Sequence, residues 1–298
     1  MKILINRKPI DGPWGGGNLL VKAFVEEATA AGHKVVYDIQ DSIGAMLLLD
    51  PRYGNTRISV NEMILYKSKN TGTKFLHRVN ECDARKLTTD VDSMLRECSR
   101  YTDKTIFVSN WMKDYHLHKG WQCNNNSVIY NGIDKSHFRP REKLENGKIN
   151  IVTHHWSNNP LKGFDFYEKI DKFVSNNSSY TFTYIGRDRG TFSNTKLVPP
   201  LFGLDLGKEL AKYDVYVSGT RSDPGPNHIL ESISCDIPTY TFSEGGGAVE
   251  FAGEDHTFNS WKELLKILES KNFTKNSMSI DSWKDCVNKY LEEIVAEE

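Results

Sequence analysis

The chain has 298 residues, a net charge of −1, 38% hydrophobic and 26% charged residues, which excludes chain-wide disorder and implies two domains. Five widely spaced cysteines with no CxxC suggest neither a zinc knuckle nor a redox pair and fit a reduced, cytoplasmic compartment. No run reaches the roughly 18 apolar residues of a bilayer span, the first residues lack the apolar core of a secretory signal, and the near-neutral charge argues against a nucleic-acid partner.

Short β-branched runs alternate with helical patterns along the chain. Lys2–Asn6 reads as a buried strand. The turn Gly12-Pro-Trp-Gly-Gly-Gly17 follows, with Asn18 as candidate N-cap of a helix carrying Leu19, Leu20, Ala23, Phe24 and Ala28 on one stripe. Further strands are predicted at Lys34–Ile39, Gly44–Leu49, Lys74–Val79, Thr105–Ser109 and Ser127–Tyr130, with helices over 61–69, 89–100 and 111–119. The polar, turn-rich residues 131–148 read as a linker. A second series has strands at Ile149–His154, Tyr180–Ile185, Val215–Ser218 and Pro238–Phe242. Its helices are predicted over 163–175, 205–212, 226–234, 246–252 and 260–270, and Asp281–Val295 reads as a last amphipathic helix. Such alternation predicts two α/β domains, each a doubly wound parallel sheet covered on both faces.

Ligands of open α/β sheets bind at the carboxyl ends of strands, so the motifs just after strands matter most. The loop Gly15-Gly16-Gly17 can bring backbone N–H groups to an anion at a helix N-terminus. It is neither GxGxxG nor a P-loop, which disfavours an NAD enzyme. In the stretch Ser218 to Glu231, Asp223 and Glu231 place two acids near a helix that starts around Pro226 and Asn227. They suit paired hydroxyls of a sugar or ribose; the plainer reading is a cap and a solvated side chain. Glu244-Gly245-Gly246-Gly247 repeats the strand, glycine turn, helix pattern. In His154-His155-Trp156 through Lys162-Gly163, Lys162 is a candidate point charge for a diphosphate. Adjacent histidines on a strand are poor joint metal ligands. Asp90-Val91-Asp92 sits at a helix start, where aspartates serve capping rather than metal binding.

In this order and spacing the elements resemble glycosyltransferase family 4 over nearly the whole chain. The resemblance rests on Gly15-Gly16-Gly17, Gly32-His33-Lys34-Val35, Val108-Ser109-Asn110-Trp111, Val128 to Asp134 with Phe138, Lys162-Gly163, Asp214 to Val217, and Leu230 to Pro238. It departs in two places. The first acid of the family's Glu-x7-Glu is Asp223, and the segment His155-Trp156-Ser157-Asn158-Asn159 before Lys162 has no arginine, so the candidate substitutes are a histidine or polar side chain of that segment or another basic group such as Arg187.

The resemblance implies a GT-B fold: two Rossmann-like doubly wound domains facing across a cleft. Residues 1–145 would form the acceptor domain, 146–276 the donor domain, and 277–298 a helix packing back on the first. It implies metal-independent, retaining transfer of a sugar from a UDP- or GDP-sugar to a glycan, lipid-linked or other hydroxyl acceptor, with no tightly bound cofactor. Glu231 would hold the ribose hydroxyls, with Asn227 beside it, and Asp223 would contact the donor sugar. Lys162, Arg187 and the amides of Gly16 and Gly17 would bind the diphosphate. The loop of Glu244, Gly245 and Gly246 would contact sugar or phosphate. His77, in the strand Lys74–Val79, is a candidate on the acceptor side. Residues 1–145 carry 22 Lys+Arg against 17 Asp+Glu, which suits an anionic acceptor or peripheral contact with an anionic membrane. Two alternatives share the architecture: a non-hydrolysing nucleotide-sugar epimerase, and a sugar-nucleotide-binding homologue of low activity.

Overall fold

The computed structural model describes residues 1–12, 15–52, 54 and 56–296. They form two compact units, Met1–Gly132 with Asp281–Glu298, and Ile133–Ile280. Each is built on a six-stranded, wholly parallel sheet.

Unit 1 contains β1 (Lys2–Ile5), α1 (Gly16–Ala30), β2 (Lys34–Val36), β3 (Ile43–Leu48), α2 (Val60–Lys69) and β4 (Lys74–Val79). It continues with α3 (Asp83–Lys86), α4 (Val91–Ser99), β5 (Lys104–Phe107), α5 (Asn110–His118) and β6 (Asn126–Val128). The strand order is β2-β1-β3-β4-β5-β6, so the winding reverses at β1. Both faces of this sheet are apolar, and strand alternation divides the side chains between them. Ile3, Ile5, Ala45, Leu47 and Leu76 pack with Leu20 and Phe24 of α1. Leu4, Met46, Leu48 and Phe75 point the other way, onto Ile58, Met63 and Cys98.

Unit 2 contains β7 (Ile149–His155), α6 (Phe164–Ser175), β8 (Tyr180–Gly186), β9 (Lys196–Val198), α7 (Gly203–Leu210) and β10 (Val215–Ser218). Then come α8 (Asn227–Ser234), β11 (Thr239–Phe242), α9 (Gly247–Ala252), β12 (Thr257–Phe258) and α10 (Trp261–Ser270). The last helix, α11 (Trp283–Val295), belongs to unit 1. It lies against α1, and its Val287, Tyr290, Leu291 and Ile294 join the same core as Phe24. The sheet of unit 2 runs β12-β11-β10-β7-β8-β9. Counted from β7, this is the doubly wound order of a dinucleotide-binding fold, and the strand order reverses between β7 and β10. The short edge strands β9 and β12, three and two residues long, carry too little pattern to be read in the sequence.

Three local expectations change. Asn18 does not cap α1: it is buried, accepts from Ile10 N and donates to Ile10 O at 2.8 Å each, and so closes the glycine loop. The N-cap position falls to Gly15, whose lack of a side chain leaves the helix end uncapped. Asp90 makes no capping bond to α4; Asp83 does, accepting from Val91 N at 2.9 Å. The polar run 133–148 is not a solvated tether. Its Ile133 and Phe138 are buried, and Lys143 donates to Tyr213 O.

Candidate functional site at the switch point of the second sheet

Two loops leave the reversal point of unit 2, one after β7 and one after β10. Asn159 accepts from Leu161 N at 2.8 Å and starts a single 3-10 turn, Pro160–Lys162. Gly163 ends it with φ 89°, and a Cβ there would lie 2.3 Å from the backbone of Gly219. Only glycine lets the two loops meet this closely. Arg221 N donates to Leu161 O at 2.8 Å and fastens them.

This contact delivers Lys162 to Asp223. Its Nζ lies 2.8 Å from Asp223 Oδ2, and both side chains are about nine-tenths buried. Thr220 Oγ1 adds a longer bond to the same carboxylate oxygen, at 3.3 Å. A buried ion pair of this kind forms only where each charge compensates the other, since desolvation of either alone is costly.

The third motif joins them through the backbone. Ser222 N donates to Glu244 O at 2.9 Å, Asp223 N to Gly245 O at 3.0 Å, and Gly247 N to Asp223 O at 2.8 Å. Asp223 and Gly246 form an isolated parallel bridge. Gly246 has φ 69°, and a Cβ there would reach 2.9 Å from Asp223 N. The loop after β11 is thereby zipped to the loop after β10. The Glu244 side chain is exposed.

Glu231 sits five residues into α8, buried, with Oε2 2.7 Å from His154 Nε2 at the end of β7. His155, next in the strand, engages a different partner, Tyr167 OH, at 2.6 Å. That hydroxyl also accepts from Gly219 N at 3.0 Å. His228 Nε2 lies 3.0 Å from Ser218 Oγ. Asn227, first residue of α8, is half-buried beside these groups. Among the described residues no three His, Cys, Asp or Glu side chains are grouped to hold a metal ion.

Arg187 follows β8 and is exposed, with its guanidinium 4.1 Å above the Trp156 ring. Such a cation–π contact holds the charge in place without neutralising it. Arg221 is occupied differently: it forms a two-pronged pair with Asp165 at 2.9 Å in both bonds.

Unit 1 holds the remaining candidates. Gly16 and Gly17 are the first two residues of α1, and a Cβ on Gly17 would lie 3.9 Å from both Arg7 Nη1 and Asn80 Nδ2. Pro13 and Trp14 of the same loop fall outside the described residues. His77 is a correction in position. It is fully buried beside Trp121, and neither ring nitrogen has a hydrogen-bond partner. Burial, with His116 nearby, holds its pKa down at about 3. With no exposed atom it offers an acceptor hydroxyl nothing to bind. Alternation along β4 turned it inward with Phe75 and Val79.

Lys162, Asp223, Glu231 and the 244–246 loop were therefore legible as motifs after strands. His154 and Trp156 were read only as part of the motif after β7, with no partner assigned, and Tyr167 was not singled out; all three lie at or beside the same reversal point. The pairing of His154 with Glu231 had no signal beyond the position of His154 at the carboxyl end of β7.

Comparison with protein-family models finds no match, and comparison with curated proteins finds none. Solved structures do match. HepE of Anabaena in complex with UDP and glucose superposes with TM-score 0.69 at 13% identity, covering 99% of each chain. Sucrose-phosphate synthase of Thermosynechococcus elongatus gives 0.64 at 12%, over 98% of this chain and 94% of that one. WaaG, a glycosyltransferase involved in lipopolysaccharide biosynthesis, gives 0.62 at 14%, over 98% and 95%. The likeness extends over nearly the full length of all three, and the chain has the GT-B fold.

Proposed function

We propose that the protein is a glycosyltransferase of the family 4 type, moving a sugar with retention from a UDP- or GDP-sugar to an acceptor hydroxyl. One observation carries this reading. Lys162 meets Asp223 at 2.8 Å at the strand-order reversal of a dinucleotide-type sheet, with Glu231 on the following helix. The reacting bond of a nucleotide sugar joins an anionic phosphate to a sugar carbon. A cation and an acid held at one point match the two sides of that bond.

The barrier is the charge that separates as the diphosphate departs and the sugar becomes oxocarbenium-like. Fixed cations and N–H dipoles aimed at the leaving phosphate lower it, because they need no reorganisation as charge develops. Lys162 takes that role, joined by Arg187 on its Trp156 platform. Asp223 contacts the sugar, Glu231 the ribose hydroxyls with Asn227 at its side, and Glu244, Gly245 and Gly246 the sugar or phosphate. The complexes of HepE with UDP-glucose and with UDP support a nucleotide-sugar donor for this fold.

The test is a panel of UDP- and GDP-sugars, scored for binding and for nucleoside diphosphate release with and without hydroxyl acceptors. At least one donor binds and releases diphosphate, and Glu231→Ala abolishes that binding. Binding of none, or a Glu231→Ala protein with normal turnover, overturns the assignment. Product anomeric configuration by NMR checks retention.

A further inference from the structure

We infer that His154 is a positioning residue for Glu231, setting the carboxylate in the one orientation that recognises a ribose diol. The inference rests on the donor reading above and assigns a role to a side chain that the family motifs leave out. Glu231 Oε2 lies 2.7 Å from His154 Nε2. A carboxylate supplies no proton, so Nε2–H donates and Oε2 accepts. No described residue bonds to the other oxygen, Oε1, so the carboxylate is anchored at one oxygen and open at the other.

The anchor is itself rigid. Tyr216 OH, on the neighbouring strand β10, accepts from His154 N and donates to His154 O, both at 3.1 Å. Its ring meets the imidazole edge to face at 5.5 Å, and the His228 ring closes a second side at 6.1 Å and 90°. The hydroxyl bonds fix the backbone of His154 and the two rings confine its imidazole, so the Glu231 carboxylate is held at Oε2 before ligand arrives. Preorganisation of this kind contributes affinity by removing an ordering cost from the binding step.

A second observation marks His154 as more than packing. Its Nδ1 is buried and has no hydrogen-bond partner. A core position serving packing alone would not retain a buried, unsatisfied polar atom, which is unfavourable. The histidine is retained because Nε2–H is needed at the carboxylate. Without that donor the glutamate would be free to rotate away from the diol.

The experiment compares UDP and GDP with their 2′-deoxy counterparts by isothermal titration, on wild type, His154→Leu and His154→Gln, with folding checked by circular dichroism. Wild type favours the ribonucleotide by about tenfold or more, the scale of one hydrogen bond to a charged group. His154→Leu loses most of that preference while its affinity for the deoxynucleotide stays within about threefold. His154→Gln, whose amide nitrogen replaces imidazole Nε2, restores it. Retained discrimination in His154→Leu, equal loss of both ligands, or no recovery in His154→Gln overturns the proposal alone. A wild type that binds neither UDP nor GDP overturns the donor reading and this proposal with it. A wild type that binds both sugar forms equally overturns the proposal while leaving the donor reading standing.

Discussion

At the residue scale, the Lys162–Asp223 pair can be separated into its structural and its chemical parts. Removing one member leaves a buried charge uncompensated, so Lys162→Ala is expected to cost about 3 kcal/mol in urea denaturation. Replacing both, as Lys162→Met with Asp223→Leu, recovers most of that stability because two apolar groups need no mutual compensation. Neither variant recovers diphosphate release. A double variant with normal turnover would mean that the pair only holds loops together. Lys162 and Asp223 were legible because each follows a strand within a recognisable spacing. The partnership of Glu231 with His154 was not, since 77 residues separate them and no local pattern links a strand end to a distant helix.

At the element scale, the site depends on how closely two loops approach. Gly163 and Gly147 both have positive φ, but a Cβ on Gly163 strikes the Gly219 backbone whereas one on Gly147 meets open space. Gly147→Ala is expected to cost about 1–2 kcal/mol, the price of a left-handed conformation alone. Gly163→Ala should cost clearly more and also weaken donor binding, because it pushes Lys162 away from Asp223. Thermal melts and titration of UDP on both variants make the comparison. α11 poses a similar question in unit 1. Removing residues 281–296 strips Val287, Tyr290, Leu291 and Ile294 from the core, at roughly 1.5–3 kcal/mol each. That is comparable to the whole stability of a domain, so the truncated chain is expected to lose cooperative unfolding of unit 1. Its amphipathic stripe was readable; the face of α1 that it covers was not.

At the scale of the whole molecule, acid sensitivity should come from unit 1. Burial lowers His77 to about 3 and His116 to about 4, in the latter case against the pull of Asp92. An unfolded histidine titrates near 6.5, so the unfolded chain binds more protons between these values. Stability is full above about pH 6.5 and falls as pH drops, by about 1.4 kcal/mol per pH unit for each group. Urea midpoints measured at pH 7 and pH 5 should show the fall, and His77→Phe should flatten it. A flat profile in wild type would mean that these histidines are solvated. The basic excess of residues 1–145 carries a separate expectation, because a surface field acts on anionic partners at long range. Neutralising exposed lysines such as Lys8 and Lys69 should reduce transfer to an anionic acceptor and leave donor affinity unchanged. An equal fall in donor affinity would remove that reading of the charge.

Two parallel α/β units, most of their strands and helices, and the four loop motifs follow from the order of residues alone. The reason is that side-chain period, turn chemistry and glycine placement act over a few neighbours. Folding was needed for the rest. It set the inward turn of His77, the Gly163–Gly219 contact that carries Lys162 to Asp223, and the enclosure of His154 against Glu231. These depend on which strands become neighbours, and strand order at the reversal between β7 and β10 is a long-range outcome that no local pattern encodes.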